Sequence, residues 1–162
     1  MSLKEYEEKR DFHKTPEPKG SDVRRNLKGK NKSLIYAIQR HEASHLHFDL
    51  RLEEGGTLKS WAIPKLPPQE EGIRRLAVET EDHPLGYEDF EGTIPEGEYG
   101  AGRVEIWDRG EYIPLESGPN KKVFEIRGHK LSGRYSLIKL KPKDQQDKNW
   151  LFFKVKTPPE TK

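Results

Sequence analysis

The sequence has no cysteine among its 162 residues, which excludes disulfide bonds and thiolate metal sites. It also has no apolar run long enough to span a membrane and no signal peptide before its first charged residues, so we expect a cytoplasmic protein. Only 31% of the residues are hydrophobic and 36% are charged, so the core must be economical. Six Phe, six Tyr and three Trp nevertheless argue against disorder, because these side chains need burial.

Basic residues are missing from one part of the chain. The small net charge of +2 hides this segregation of acidic and basic residues. Residues 79–98 carry eight carboxylates and no Lys or Arg, whereas residues 121–162 carry twelve Lys or Arg against four acids. A basic end region next to an acidic middle suits a polyanionic ligand that is approached together with a metal. A well-solvated, salt-bridged surface has the same composition, so charge alone leaves both interpretations open.

The chain length favours a single domain, 1–162, in which strands dominate. Ser2 and Glu5 match a capping box and predict a helix over 2–9, followed by an extended linker. Glu54, Gly55 and Gly56 predict a hairpin turn. The predicted strands are 34–39, 46–53, 57–63, 74–81, 102–108, 111–115, 122–128, 133–140 and 149–156. About eight short strands with little helix predict an all-β fold, a compact closed or nearly closed β-barrel.

The stretch HEASHLHFDLRL, residues 41–52, is rich in side chains that can bind a metal ion, and its polar and apolar residues alternate strictly from His45 onward. Side chains alternate across a strand with period two, so two sets should face opposite ways. The set predicted to face the core is Leu46, Phe48, Leu50 and Leu52; the set predicted to face outward is His45, His47, Asp49 and Arg51. His41 lies just before this strand, where a bend can swing it back towards His47.

Two imidazoles and one carboxylate, from His41, His47 and Asp49, predict a three-point metal site with positions left open for water and substrate. This ligand set suits manganese, iron or zinc. Arg51 would stand beside the metal with its guanidinium fork directed at a phosphate. The alternative is a solvated strand face that happens to carry several histidines.

A second cluster, Glu81-Asp82-His83-Pro84, ends the strand predicted over 74–81. Arg75 and His83 share one parity in this strand and would lie on the same face. His83 could donate a proton or stabilise charge on a phosphate, or it could have only a turn role. Tyr87, four residues further on, is more typical of packing than of catalysis.

Several stretches, in this order, resemble the phosphoesterase domain of bacterial DNA ligase D and its stand-alone archaeal and bacterial relatives. They are 9–12 (KRDF) with Thr15 and Glu17, 41–53, 58–65 (LKSWAIPK), 75–78 (RLAV), 81–84 (EDHP), 90–102 (FEGTIPEGEYGAG) and 104–110 (VEIWDRG). The resemblance runs from about residue 9 to about residue 156. It implies a β-barrel over 34–156 and a contributing N-terminal arm over 1–33.

The resemblance also implies the roles of individual residues. His41, His47 and Asp49 match the metal ligands of the family, and Arg51 and His83 match its phosphate-contacting residues. The remaining matches around the same site are Arg10, Asp11, Glu17, Gln39, Lys65, Arg75 and Tyr87. Among these, Arg10, Asp11, Glu17 and Tyr87 are expected catalytic residues, and Lys65, Arg75 and Gln39 are expected substrate contacts.

The activity implied is divalent-metal-dependent processing of 3' ends at DNA breaks, with manganese the expected cofactor and zinc or cobalt as alternatives. The family removes a 3'-terminal ribonucleoside from a DNA primer-template and then removes the remaining 3'-phosphate. His45 stands where the family more often has Arg. We expect a monomer that works alone or recruits separate ligase, polymerase and Ku-type repair proteins, because the ligase and polymerase modules are absent from the sequence.

Two other functions are compatible with parts of the sequence. His47-x-Asp49 is half of the ligand triad of a non-haem iron oxygenase, for which His83 or His129 would supply the second histidine. A non-catalytic nucleic-acid-binding barrel could stack bases on Trp150, Phe152 and Phe153, although core packing is the more common use of such residues.

Overall fold

The computed structural model describes residues 3–18, 33–141 and 148–156. The helices of this part are α1 (Leu3–Glu8) and a 3-10 helix (Tyr87–Asp89). Its strands are β1 (Leu34–Glu42), β2 (Leu46–Glu54), β3 (Thr57–Ile63), β4 (Arg74–His83), β5 (Gly92–Ile94), β6 (Gly102–Ser117), β7 (Lys121–Arg127), β8 (Ser132–Lys139) and β9 (Asn149–Lys154). No helix in these ranges is long and apolar enough to cross a membrane.

Eight of the strands close into one antiparallel barrel. β1 to β4 pair in chain order, β4 pairs with β9, and β9, β8, β7 and β6 pair in reverse order. β6 also pairs with β1 and closes the barrel, while the short β5 adds to β6. Closure removes the unpaired edges that would otherwise invite association. The prediction of an all-β, closed barrel with a short N-terminal helix is confirmed.

Alternation along β1 and β2 separates an apolar inner face from a polar outer face. The inner side chains of these two strands that belong to the main hydrophobic core are Tyr36, Ile38, Phe48, Leu50 and Leu52. Leu46 was expected among them, but its side chain is 43% exposed, because β2 begins there at the rim of the barrel. Full burial of an aliphatic or aromatic side chain contributes about 1.5–3 kcal/mol, so this inner face stabilises the barrel strongly.

The strand boundaries differ from the predicted ones at three places. Residues 102–108 and 111–115 belong to one strand, because Gly110 continues the ladder where a break between two strands was predicted. A Cβ at Gly110 would lie 2.1 Å from the Arg127 carbonyl oxygen, so glycine allows this close approach. β1 extends to Glu42, so that His41 lies inside a strand and not in a bend. β5 was not predicted at all.

A buried carboxylate joins the inner face of β1 to the β7–β8 connection. Asp108 is 3% exposed and accepts a hydrogen bond from the Tyr36 hydroxyl at 2.8 Å. It also accepts the backbone N–H groups of His129 (2.8 Å), Lys130 (3.0 Å) and Leu131 (2.9 Å). Four donors on one carboxylate compensate for its desolvation and hold the connection against the barrel.

We predict that Asp108→Asn lowers the free energy of unfolding by about 2–4 kcal/mol, because the new NH₂ group would face donors and leave buried groups unpaired. Urea unfolding followed by circular dichroism measures this change. Tyr36→Phe is the matched control, since it removes a single donor and should cost about 1 kcal/mol. An Asp108→Asn protein as stable as the parent would contradict this role for the carboxylate.

Candidate metal centre

Strand pairing brings residues that are distant in sequence onto one patch of the outer face. In an antiparallel ladder, residues directly opposite each other share a face. His41 lies opposite His47, and Gln39 lies opposite Asp49. β3 adds its own residues on the other edge of β2: Asp49 faces Ala62, and Arg51 faces Ser60.

The side chains of His41, His47 and Asp49 converge on one point. His47 Nε2 lies 3.2 Å from Asp49 Oδ1, and His41 Nδ1 lies 3.6 Å from Asp49 Oδ2. One ligand atom from each residue lies within 4.8 Å of the other two. Two imidazoles and one carboxylate at this spacing fit a divalent transition metal and leave room for further ligands.

Hydrogen bonds at the far side of each imidazole ring set the tautomers that metal binding requires. His41 Nε2–H donates to the Gly100 carbonyl at 2.7 Å, and His47 Nδ1–H donates to the His45 carbonyl at 3.2 Å. His41 Nδ1 and His47 Nε2 are therefore the ring atoms left to bind a metal, and when no metal is bound a proton on His47 Nε2 donates to Asp49. Such second hydrogen bonds orient ligating histidines in metal sites. Gly100 has a φ of +77°, a conformation that glycine adopts readily and that aims its carbonyl at His41.

The charges around Asp49 keep this carboxylate ionised. Burial opposes ionisation, but Arg51 and the two histidines more than offset it and hold the pKa of Asp49 well below its usual range. Burial also opposes protonation of His47, yet its hydrogen bond to Asp49 leaves the pKa of His47 raised. A bound cation would displace that proton and take over the role of neutralising Asp49.

Arg51 lies at the floor of the site, beside the ligand group that His41, His47 and Asp49 form. Its guanidinium is 3.7 Å from Asp49 Oδ2, and its side chain is only 4% exposed. Its Nε–H donates to Gln39 Oε1 at 3.0 Å, while Gln39 Nε2 donates to the carbonyls of Tyr87 (2.7 Å) and Phe90 (2.9 Å). Gln39 therefore fixes the direction of the guanidinium fork, whose carbon also lies 4.9 Å from the centre of the Tyr87 ring.

His83 is a buried neutral imidazole between two arginines. Its Nδ1 lies 3.0 Å from the Glu81 carbonyl and 3.4 Å from Arg51 Nη1, and its Nε2 lies 3.4 Å from Arg10 Nη2. Burial, with Arg51 and Arg10 close by, lowers the pKa of His83 well below its ordinary value. Donation of Nδ1–H to the Glu81 carbonyl leaves Nε2 as an acceptor on the side of Arg10.

The N-terminal arm, of which residues 3–18 are described, lies against this site. Arg10 Nε donates to Glu17 at 3.0 Å and Arg10 Nη1 donates to Glu81 at 3.3 Å. The Tyr87 hydroxyl donates a short hydrogen bond to Glu17. Beneath these charges, the arm packs Tyr6 against Leu58, Leu85 and Tyr87. Residues 19–32 of the arm lie outside the described residues.

A β-bulge in β4 decides which residues face the site. Ser60 lies opposite Thr80, but Leu58 lies opposite His83, so β4 contains one extra residue between these two pairs. The bulge turns His83 to the outer face, whereas Ala77 stays in the core. The prediction that Arg75 and His83 share a face is therefore wrong.

Four of the expected site residues do not line the cavity of the site: Gln39 lies beneath it, and Arg75, Lys65 and Asp11 lie outside it. Arg75 is half-buried and its Nε donates to the Leu66 carbonyl at 2.7 Å. Lys65 is exposed in the connection after β3, and Asp11 is exposed with its carboxylate accepting the N–H of His13 at 3.0 Å. His45 is also exposed and contributes its backbone carbonyl to His47. The functions expected of Arg75, Lys65 and Asp11 stay predictions.

The cavity above the ligand group has a volume of about 290 Å³. The expected residues that line it are Arg10, Glu17, His41, His47, Asp49, Arg51, His83 and Tyr87, while Gln39 supports Arg51 from below. Other residues that line the cavity were not expected in the site, including Glu81, Tyr99 and Gly100. The stretches 81–84 and 90–102, which carry the family resemblance, were the available signal for these three residues, but they assigned them no role.

Comparisons with known proteins agree with this geometry. Residues 39–139 match the family model described as the DNA ligase D 3'-phosphoesterase domain. The chain is 49% identical over 160 residues to the multifunctional non-homologous end joining protein LigD of Pseudomonas aeruginosa, covering 95% of the chain and 18% of that protein. It is 44% identical over 165 residues to the protein of the same name from Mycolicibacterium smegmatis, covering 95% of the chain and 20% of the relative. The chain thus spans about one fifth of the length of these relatives.

We predict that His47→Ala weakens Mn²⁺ binding by at least about 100-fold, because it removes one of three protein ligands, whereas losing a supporting hydrogen bond alone typically costs 10–100-fold. Electron paramagnetic resonance of free Mn²⁺ during a titration measures the affinity. His45→Ala is the matched control, because its exposed side chain is two residues away and only its backbone contacts His47. An equal loss of affinity in both variants would contradict the assignment of the ligands.

Proposed function

Because the chain belongs to the DNA ligase D 3'-phosphoesterase domain family, we propose that it hydrolyses phosphate esters at the 3' ends of DNA. The reaction is metal-dependent, with Mn²⁺ the proposed ion, and proceeds in two steps. The protein first removes a 3'-terminal ribonucleoside to leave a 3'-phosphate, and then removes that phosphate to leave a 3'-hydroxyl. The relatives are named as end-joining proteins, which supports DNA breaks as the setting.

The observation that carries this proposal is the buried Arg51 guanidinium beside the ligand group. In the part of the chain that the structure describes, its acidic partner is Asp49, at 3.7 Å. Arg10, in contrast, is paired with both Glu17 and Glu81. A guanidinium that is desolvated and only weakly paired has donors left for an anion, and its planar fork matches two phosphate oxygens.

The charge of the cavity explains why phosphate binding would require a metal. The charged side chains that line it are two arginines, Arg10 and Arg51, and three carboxylates, Asp49, Glu17 and Glu81. With neutral histidines this lining carries one net negative charge, and with a proton on His47, whose pKa is raised, it carries none. A divalent cation held by His41, His47 and Asp49 would displace that proton and give the lining one net positive charge. In either case a bound metal would supply the net positive charge that attracts phosphate.

In each hydrolysis the hydroxyl group of a water molecule joins phosphorus and a proton passes to the leaving oxygen. That oxygen is the 5' oxygen of the terminal nucleoside in the first step and the 3' oxygen of the strand in the second. A metal bound at this site would supply Lewis acidity to the phosphate. Arg51, aimed by Gln39, would neutralise charge on the phosphate oxygens, an effect typically worth a few kcal/mol per donor.

The neutral state of His83 limits when this side chain could donate a hydrogen bond to the phosphate. In the free protein its Nε2 accepts from Arg10 and cannot donate to a phosphate. The negative charge of an incoming phosphate would raise the pKa of His83 and favour uptake of a proton at Nε2. We propose that His83 becomes a donor to the phosphate only after the substrate has bound.

Lys65 and Arg75 are proposed to act outside the cavity. Lys65 follows Ala62 by three residues, and Ala62 lines the cavity on β3. Arg75 is tied by Leu66 to the same β3–β4 connection. Both cations therefore lie on the β3–β4 side of the metal centre, where they could contact the phosphate backbone of the strand that leads into it.

The two alternative functions have less support. Trp150 and Phe152 are 2% and 0% exposed and belong to the core, so two of the three expected stacking residues are unable to stack bases. For an oxygenase, the described residues group His41 with His47 and Asp49, and neither His83 nor His129 belongs to that group. Arg51 beside the ligands suits a phosphate better than it suits an oxygenase substrate, and the family match agrees.

The test is a time course with Mn²⁺ and a primer-template that ends in a single 3' ribonucleotide. Separation by length and end group should show the starting strand, the 3'-phosphate intermediate and the 3'-hydroxyl product in that order. Metal-free protein and the His47→Ala variant are the controls and should give neither product. Consumption of 2-oxoglutarate without release of nucleoside or phosphate would favour the oxygenase instead.

We predict that Arg51→Lys slows both steps by about 100-fold, because the point charge of lysine cannot replace the two-pronged fork. The Mn²⁺ affinity, measured in parallel, should change less than about tenfold, since Arg51 is not a ligand. A variant that keeps the parent rates would show that Arg51 does not contact the phosphate.

The charge of the cavity leads to a separate prediction for binding. A catalytically impaired Arg51→Lys protein should bind a 3'-phosphorylated oligonucleotide at least about tenfold more tightly with Mn²⁺ than without it, as the sign of the cavity charge requires. Fluorescence anisotropy measures the affinity, and a strand with a 3'-hydroxyl is the control. Equal affinity for the phosphorylated strand with and without metal would contradict this effect of the metal on the cavity charge.

A further inference from the structure

An exposed tyrosine stands at the rim of the metal cavity without a role in the chemistry described above. Tyr99 is 47% exposed and lines the cavity beside Gly100, whose carbonyl holds His41. Exposed aromatic side chains at a nucleic-acid site are the usual platforms for stacking bases. Tyr99 lies next to the residue that holds His41, and a large part of its ring surface is exposed. This exposed surface suits a partner with an aromatic face, such as a nucleobase.

Contacts from the N-terminal arm keep the Tyr99 ring in place. The Lys9 ammonium lies 4.8 Å from the ring centre and the Arg10 guanidinium carbon lies 5.3 Å from it. Lys9 Nζ also reaches the Tyr99 hydroxyl at 3.4 Å and Glu81 Oε1 at 3.4 Å. Two cation–π contacts and a hydrogen bond reduce the freedom that the ring would lose on stacking.

The charges on the two sides of the cavity differ, which decides what Tyr99 can meet. β1 and β3 flank β2, so Gly100, bound to His41 of β1, and Ala62 of β3 lie on opposite sides of the metal ligands. On the Tyr99 side, Glu96 and Glu98 form no ion pair with another described residue, and Lys9 and Arg10 are already paired with carboxylates. On the Ala62 side, Lys65 follows Ala62 by three residues, whereas the two carboxylates of the same connection, Glu70 and Glu71, lie further along it, where Glu71 forms a β-bridge with Lys154 of β9.

A continuing DNA strand carries a phosphate at every nucleotide and would be repelled by the acidic side of the cavity. The terminal nucleoside has no further phosphate, so it can enter that side without this penalty. We propose that Tyr99 forms a nucleobase subsite that stacks the base of the 3'-terminal nucleoside, while the rest of the strand leaves on the Ala62 side. The inference rests on the proposed function and names the part of its substrate that Tyr99 contacts.

The two steps should therefore depend on Tyr99 to different extents. The terminal nucleoside is present in the first step and gone in the second. Tyr99→Leu should lower the ratio of the rate of nucleoside removal to the rate of phosphate removal by about 5- to 100-fold, the range expected for stacking one base. Tyr99→Phe, which keeps the ring, should restore the ratio to within about twofold. Leu115→Ala, a change at a side chain on β6 that is as exposed as Tyr99 but does not line the cavity, is the matched control.

A strand that ends in a ribose without a base separates stacking from a general effect on the site. The parent protein should remove this residue as slowly as the Tyr99→Leu variant removes an ordinary nucleoside, and the variant should not slow it further. Equal slowing of both steps by Tyr99→Leu, or further slowing on the baseless strand, would overturn the proposal.

Binding without turnover distinguishes a failure of this proposal from a failure of the proposed function. The probe is a primer-template that ends in 2-aminopurine riboside, with Mn²⁺ present and the 5' oxygen of the terminal nucleoside replaced by a methylene group, so that the probe binds but cannot be cleaved. Quenching of its fluorescence by the parent and Tyr99→Phe proteins, and about fivefold less by Tyr99→Leu, is expected even if no hydrolysis occurs. Quenching that is equal in all three proteins would overturn the subsite, whereas absence of hydrolysis with normal quenching would count against the phosphoesterase activity alone.

Discussion

β1 is the strand on which both the barrel and the candidate metal centre depend, because it pairs with β2 on one edge and with β6 on the other. The first pairing sets His41 beside His47, and the second closes the barrel. The second pairing also brings the β5–β6 connection next to His41, where the Gly100 carbonyl accepts the hydrogen bond that selects the tautomer of His41. A shift of one residue in either register would turn the ligands to the wrong face of the sheet.

The metal centre concentrates charge that is unfavourable to bury without a ligand. Asp49, Arg51, Glu17 and Glu81 are each at most 7% exposed, and burial together with the neighbouring arginines keeps His83 neutral. Buried ion pairs often contribute little net stability, because desolvation offsets their attraction. Their arrangement is better explained by the proposed function, in which the same charges would receive a divalent cation and a phosphate in a cavity where water screens them poorly.

The N-terminal arm is more than a surface attachment in this architecture. Its apolar residue Tyr6 packs on the outer face next to Tyr87, and its charged residues Arg10 and Glu17 enter the cavity. Burial of Tyr6 anchors the arm. Arg10 and Glu17 of the arm then line the cavity together with Glu81 and His83 of β4. The arm also supplies the two cations over Tyr99, so one segment supports both the cavity proposed to bind phosphate and the proposed nucleobase subsite.

The sequence by itself determined the all-β class, the closed barrel and the ligand group. Period-two alternation and turn residues carry that information locally, and His47, Asp49 and Arg51 share a face for the same reason. Only the tertiary structure decided what depends on long-range contacts. The β-bulge turned His83 to the site and separated it from Arg75. The pairing of β1 with β6 placed Gly100 against His41, and the neighbouring Tyr99 lines the same cavity. A bulge and a cross-barrel contact arise from the pairing of distant segments, so no local pattern of residues reveals them.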